Sequence, residues 1–424
     1  MPELLSPAGN FEKLKAALLY RADAVYLGWN RFGMRAAADN FTTEELYEAA
    51  AYTHERGKRL YLTTNTLPRG EEYPALSEFF RTLASYDAFH RPDALIVADL
   101  GVVRLAQRLL PDVEIHISTQ ASIISPEAAV AYAELGAKRL VLARELHFDE
   151  IRAIRDALDP SVELEAFIHG SMCVAFSGRC LLSHHFTGRD ANRGACTQPC
   201  RWSYKIVEEK RPDDALPLYE DEEQGTFILS SKDMCMITEI PRLMEAGIDS
   251  FKIEGRMKSA YYTAVVTNAY RMAMDAYAAD PKSYRLDPAW YAELCSVSHR
   301  EYGTGYYLED PMKNPQLCAE MGYIREKAYL ATALETVPDE IPTGLVYENE
   351  GGRLVRFIQR NKVSAGSTGE IISPGSVGRA FQISELYTIE GEAIPAAPHP
   401  SMEFYVRVPF TVTPGDIMRA GGES

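Results

Sequence analysis

The 424-residue sequence contains no run of about 18 apolar residues, so no membrane-spanning helix is expected. Its opening, MPELLSPAGNFEKLK, lacks a basic segment followed by an apolar one, and no secretory leader is expected either. Positive charge is the scarcer sign: 44 Lys and Arg stand against 60 Asp and Glu, a formal net charge of −16. Such a balance argues against a general nucleic-acid coat, since non-specific binding rests on neutralising phosphates. An RNA partner would need a local basic patch. Neither HExxH nor a P-loop occurs, nor a Ser/His/Asp or Cys/His signature with its family flanks. A cytoplasmic protein with no membrane association is expected.

Cysteine is sparse as well, seven in all, yet four fall within 28 residues: Cys173, Cys180, Cys196 and Cys200, with Cys235 a little further on. Paired disulfides are not expected in a reducing compartment, where clustered thiols more often bind metal or carry redox chemistry. The intervening gaps of six, fifteen, three and thirty-four residues match neither the two CxxC knuckles of a zinc ribbon nor the common ferredoxin runs. Irregular gaps suit a cluster held by loops from different parts of a scaffold. The plain structural alternative is a set of unligated, half-buried thiols.

Short apolar or β-branched runs alternate with segments of helical period through the first two-thirds of the chain. Strands are predicted over Glu3–Ser6, Ala24–Gly28, Arg59–Thr64, Ala94–Ala98, Glu114–Ser118, Arg139–Ala143, Glu163–Ile168 and Ser250–Glu254. Helices such as Phe11–Tyr20, Thr43–Arg56, Gly101–Leu110, Pro126–Leu135 and Phe148–Leu158 lie between them. Eight strand–helix units over residues 1–277 predict an α/β fold, a (βα)8 TIM-like barrel, with a doubly wound open sheet as runner-up. A Cys-rich insertion at about 170–235 then leaves the seventh strand at its C-terminal end, the barrel face that carries active sites. A Tyr-rich stretch, 278–321, reads as a linker packed on the barrel. From 322 to 424 short runs such as Arg356–Gln359, Glu370–Ile372 and Glu403–Val408 predict a small all-β, barrel-like or sandwich C-terminal domain.

Polar residues end several of these strands. Ser6, Asp99 and Ser118 read most simply as helix caps, whereas Gln120, His169, Lys252, Glu254 and Arg256 read as ligand contacts. Lys252, Glu254 and Arg256 alternate along one strand, and inward-facing charges need a ligand or partner charges. His169 and Glu254 are the candidate catalytic groups. Near the cysteines, Arg179, Arg189, Arg193, Arg201 and Lys205 accompany Trp202 and Tyr204, combining phosphate-binding charge with stacking surface. Ordinary surface charge around a core tryptophan is the competing reading, and a basic rim would equally steer a small anionic substrate.

The opening ELLSPAGNFEKLKAALLYRADAVYLG resembles the start of the U-32 peptidase family, the collagenase-like proteases. FIHGSMCVAFSGRC, RGACTQPCRW, SSKDMC and DSFKIEGRMKSAYYTAVVTNAYR resemble later family motifs in the family's order, and RNKVSAG its β-rich C-terminal domain. The better-understood branches of the family are oxygen-independent hydroxylases carrying an iron–sulfur cluster, acting on the tRNA wobble uridine, a ribosomal-RNA cytidine or ubiquinone precursors. The two-domain length most resembles the tRNA branch. The resemblance thus implies a 4Fe-4S cluster, tRNA as partner, 5-hydroxyuridine as product and prephenate as the small-molecule hydroxyl donor. It implies cluster ligands Cys173, Cys180, Cys196 and Cys235, with Cys200 in reserve because another branch uses a C-x-x-x-C pair. Lys252 and Arg256 would then pair with the carboxylates of the donor, Arg256 through its planar fork. Two other readings stand beside this one: a peptidase, as the family name says, and a cluster-bearing scaffold working in a homo- or hetero-oligomer.

Overall fold

The computed structural model describes residues 1–34, 39–202, 205–208, 211–217, 231–308 and 323–421, with side chains left undescribed in 205–208 and 211–217. Seven strands come first: β1 (Glu3–Pro7), β2 (Ala24–Gly28), β3 (Arg59–Thr64), β4 (Ala94–Val97), β5 (Glu114–Ile117), β6 (Arg139–Val141) and β7 (Glu163–Ser171). Each pairs in parallel with its predecessor. The hairpin β8 (Lys205–Glu208) and β9 (Arg211–Pro217) and the short β10 (Asp233–Cys235) precede the eighth barrel strand, β11 (Ser250–Ile253). Strand β11 pairs in parallel with both β1 and β7, which closes the barrel and rules out the open sheet.

The strand interiors are runs such as ALIV in β4 and AVYLG in β2, buried at every position, as parallel strands covered on both faces must be. Between them lie α1 (Phe11–Leu19), α2 (Thr43–His54), α3 (Tyr73–Ala84), α4 (Leu100–Leu109), α5 (Pro126–Glu134) and α6 (Phe148–Ala157). Helix α2 starts on a reciprocal capping box between Thr42 and Glu45, while Asp99 and Ser125 cap α4 and α5 through their side chains. Helix α3 adds an element to those predicted. Its buried Leu76, Phe79, Phe80 and Leu83 fall at i, i+3, i+4 and i+7, the stripe that docks a helix on a sheet.

The chain divides into two compact units: Met1–Leu18 with Ala22–Lys258 and His299–Tyr323, and Leu19–Arg21 with Ser259–Ser298 and Ile324–Ser424. The stretch expected as a linker carries a helix, Pro288–Cys295, and the two-residue strand β12 (Tyr302–Gly303), which pairs with β10; residues 309–322 lie outside the described ones. In the second unit a 20-residue helix, Ala260–Ala279, accompanies an antiparallel sheet whose strands include Tyr329–Ala333, Gly352–Gln359, Thr368–Ile372 and Glu403–Val408. Phe357 and Phe404 lie fully buried in its apolar core. Buried Arg419 binds Glu293 through both terminal nitrogens at 2.7 Å and Glu370 through Nε at 2.7 Å. No helix among the described residues is long and apolar enough to cross a membrane.

Candidate functional site

A pocket opens at the C-terminal ends of the barrel strands, enclosing about 1000 Å³ of empty space with its open mouth included. Tyr26, Thr63, Ile96, Val141, Phe167 and Lys252 reach it from six different strands, which is how this fold gathers a site from distant sequence. The other wall is the Cys-rich segment between Cys173 and Cys200. Gly178, at φ +78°, lets that segment press on the loop after β5, since a Cβ there would stand 2.4 Å from Gln120 Oε1.

Cys173, Cys180, Cys196 and Cys200 all line this pocket, and Cys173 and Cys196 are exposed to it. Burial pushes the Cys200 thiol up, the Arg201 cation opposes that shift, and Cys173 and Cys196 add to it, so the three sulfurs sense one another. The backbone N–H of Gln198 donates to Cys196 Sγ at 3.4 Å. Cys235 is buried on β10, directly across the antiparallel ladder from His169, and is not among the pocket-lining residues. It shares a face of β10 with Asp233, whose partner Arg300 (2.7 Å) also acts electrostatically on Cys200. Among the described residues, no three His, Cys, Asp or Glu side chains converge on a point that would hold one metal ion. Four cysteines are the donor set of a four-iron cluster, and four line this pocket.

Polar atoms without partners lie in the same pocket. Asn65 donates from Nδ2 to Ser118 Oγ at 3.0 Å, but its Oδ1 is buried and unbonded; so are Gln120 Oε1 and Arg144 Nε. All three residues line the pocket. Arg144 is otherwise fixed by the Ser171 carbonyl at 2.9 Å and Ser177 Oγ at 3.0 Å. Burial would favour its neutral form, but Cys173, Glu254 and Glu145 hold it charged. Unsatisfied buried groups are costly in a finished core and are expected where a ligand completes them. Gln120→Met is accordingly expected to leave the stability unchanged or raise it by roughly 1 kcal/mol, a gain calorimetry would show, while impairing substrate binding.

The strand-eight charges divide between roles. Lys252 Nζ donates to Glu165 Oε1 at 2.6 Å and stands 4.3 Å from the centre of the Tyr26 ring, so it forms a buried ion pair at the pocket floor. Arg256 is buried in the pocket wall and donates to Thr63 Oγ1 at 3.0 Å. Glu254 lines the pocket half-buried.

His169 is not among the lining residues. Counting by twos from pocket-lining Phe167 places it inward, but β7 carries an extra residue here: Lys252 pairs with Phe167 and Ile253 with His169. The bulge turns the imidazole toward Tyr302, 3.5 Å away, where burial drives its pKa down to about 3 and keeps it neutral.

The basic residues are scattered around the mouth. Arg193 pairs with Glu72 at 2.7 Å, and Arg201 donates to Gln198 Oε1 and to Tyr323 Oη, each at 2.7 Å. Arg179 and Arg189 are exposed, as is Trp202 at 41%. Tyr204, the Lys205 side chain and the predicted run Thr226–Ser230 lie outside the described residues. Sequence reading had not singled out Glu165, whose signal was an acidic residue inside an apolar strand, nor Arg31 and Arg69 on the early loops.

The profile of Peptidase family U32 matches residues 9–316, and that of the Peptidase family U32 C-terminal domain matches residues 343–419. The chain is 38% identical over 420 residues to tRNA hydroxylation protein P1 of Bacillus subtilis, covering 99% of this chain and 95% of that one. An uncharacterized protease of Methanocaldococcus jannaschii is 43% identical over 317 residues, 74% of this chain and 75% of its own length. The 23S rRNA 5-hydroxycytidine C2501 synthase of Escherichia coli is 39% identical over 274 residues, 65% of this chain and 39% of the synthase. With its barrel motifs and its C-terminal sheet both matched, this chain belongs to peptidase family U32.

Proposed function

We propose that this protein hydroxylates tRNA, converting the wobble uridine to 5-hydroxyuridine without molecular oxygen, with a 4Fe-4S cluster as cofactor and prephenate as hydroxyl donor. The observation that carries the reading is one pocket lined both by four cysteines, Cys173, Cys180, Cys196 and Cys200, and by Asn65, Gln120 and Arg144, each with an atom left unbonded. The names of the Bacillus subtilis and Escherichia coli relatives support hydroxylation of RNA, in the second case at C5 of a pyrimidine.

Cys173, Cys180, Cys196 and Cys235 would hold the cluster, which supplies when bound the electron-transfer and Lewis-acid chemistry that side chains lack. Cys235, fixed in a strand ladder and buried, makes a stiffer fourth ligand than Cys200 in its short turn. The chain's own groups then bind and orient. A pyrimidine edge carries carbonyl acceptors and, in uracil, an N–H donor; the Asn65 and Gln120 carboxamides offer both complements. The two buried guanidinium groups lining the pocket, Arg144 and Arg256, suit the two carboxylates of a dicarboxylic donor. Transfer of the hydroxyl group breaks the donor's C–O bond and leaves that electron pair on the donor, which is thereby reduced; Glu254, half-buried beside these arginines, is placed to accept the C5 proton and pass it to the donor carbon.

Mass spectrometry of tRNA nucleosides from a deletion strain tests the proposal. Loss of 5-hydroxyuridine and its derivatives from wobble positions of tRNAs reading four-codon boxes is expected, and restoration only by a gene with intact cysteines. An unchanged profile in a strain holding no second enzyme of this activity refutes it. Peptide hydrolysis by pure, cluster-free protein would instead support the protease reading, against which stands the absence of any histidine among the described residues lining the pocket.

A further inference from the structure

Beside the pocket lies a second groove enclosing about 1110 Å³ of empty space, mouth included, whose lining includes Trp29, Arg31, Arg69, His184, Arg189 and Arg193. The two cavities share their walls. Met34 and Asn192 face the first, while their neighbours Gly33 and Arg193 face the second. Gly194, at φ +87°, brings these walls together, since a Cβ there would stand 2.5 Å from the Gly33 carbonyl oxygen.

The groove is basic in a chain of net charge −16. Its two carboxylates are already engaged: Glu72 with Arg193 at 2.7 Å, and Asp190 accepting from the Asn192 N–H at 2.8 Å. Arg31, Arg69 and Arg189 are exposed, and none forms an ion pair with a described carboxylate. The indole of Trp29, stacked on Phe79 with ring centres 3.7 Å apart, stiffens the wall that carries Arg31. Three exposed guanidinium groups around an open trough, continuous with a pocket of base-sized polar complementarity, match a chain that enters as one base and continues as sugar–phosphate.

We infer that this groove binds the backbone of the single-stranded nucleotides flanking the target base, with Arg31, Arg69 and Arg189 as phosphate ligands. The inference rests on the tRNA reading above and adds where the RNA strand runs. Phosphate contacts position a strand without reading its sequence, so the groove sets register while the pocket selects the base.

The test measures affinity of the anaerobically purified holoprotein for an anticodon stem-loop RNA by fluorescence anisotropy, over about 50 to 200 mM salt. Arg31→Gln, Arg69→Gln and Arg189→Gln are each expected to weaken binding roughly three- to tenfold and to lower the slope of log affinity against log salt by about 0.7, the loss of one single-strand phosphate contact. Arg104→Gln, an exposed arginine on α4, removes the same charge elsewhere and is expected to change neither value. Iron content and melting temperature, followed in every variant, separate lost contacts from lost structure. Salt-dependent wild-type binding that all three groove variants retain in full overturns the groove while sparing the tRNA reading. Absence of any wild-type RNA binding sinks that reading itself. Inorganic phosphate or uridine monophosphate competing as well as the stem-loop, phosphate for phosphate, overturns the strand assignment in favour of a small-anion site.

Discussion

Alanine at Cys173, Cys180 or Cys196 is expected to abolish the cofactor and the reaction together. Protein purified without oxygen should be brown and carry about four irons and four sulfides per chain; each of the three variants should be near colourless, because a four-iron cluster short of one thiolate leaves an iron open to loss. The thermal midpoint should fall by a similar amount in all three, since a cluster bound only by the folded chain stabilises it and each variant loses that contribution alike. Iron analysis and the visible spectrum read the result. Stoichiometric zinc with no iron after anaerobic reconstitution would overturn the assignment. The fourth ligand is decided by a separate pair: Cys235→Ala is expected to retain less cluster than Cys200→Ala. The reverse order transfers the role to Cys200, which lines the pocket where Cys235 does not. Because Cys235 is buried on β10, its alanine variant also needs a folding control, and Cys235→Ser provides one that keeps the side-chain volume nearly constant.

The barrel was legible because its strands obey local rules. Runs such as ALIV and AVYLG are apolar throughout, and the helix starts carry side-chain caps, so register along the chain followed from composition. Gathering of the cysteines was legible too, since the segment that carries four of them leaves the C-terminal end of β7, where the barrel places its site. What escaped was anything that depends on a break in period or on contacts across the barrel. One extra residue in β7 sends His169 to the far side of its strand; Gly170 beside it, at φ +106°, is a local mark of the irregularity, but a glycine alone does not say which way the imidazole turns. Lys252 appeared as a ligand group because its partner, Glu165, sits 87 residues earlier and meets it only when β11 closes on β7. Gln120 read as a ligand contact from the sequence, whereas Asn65 and Arg144 read only as polar strand ends, and only in the assembled mouth does each of the three show an atom left unbonded.

Glu165→Leu is expected to destabilise the barrel by about 3–5 kcal/mol, the largest effect on folding among the changes considered. Glu165 is fully buried, with Lys252 Nζ at 2.6 Å on one carboxylate oxygen and Arg139 Nη1 at 3.2 Å on the other. Burial alone would raise its pKa, but Lys252 and Arg139 outweigh it and hold the group below the usual carboxylate range. A depressed folded pKa means that the pair's contribution is complete above the unfolded value of 4.5 and is lost as pH falls through the lower folded one. Removing the carboxylate strands the ammonium of Lys252 in a floor built by Tyr26 and Phe167, whose ring faces give only partial compensation. Arg139 is less exposed to the loss, since Glu3 at 2.6 Å and Glu163 at 2.8 Å still pair with it. The asymmetry makes a double variant informative. Glu165→Leu with Lys252→Met removes both charges and should recover most of the stability, because an apolar pair of similar volume often replaces a buried ion pair at little cost. Urea denaturation of the wild type, both single variants and the double variant gives the coupling energy directly. If Lys252 serves only the fold, the double variant hydroxylates tRNA at near wild-type rate once folded. If it also meets the donor's carboxylate from the pocket floor, turnover stays low while stability returns. A Glu165→Leu protein as stable as the wild type would show that the ion pair does not hold β11 to β7, and that Lys252 is held in place for substrate alone.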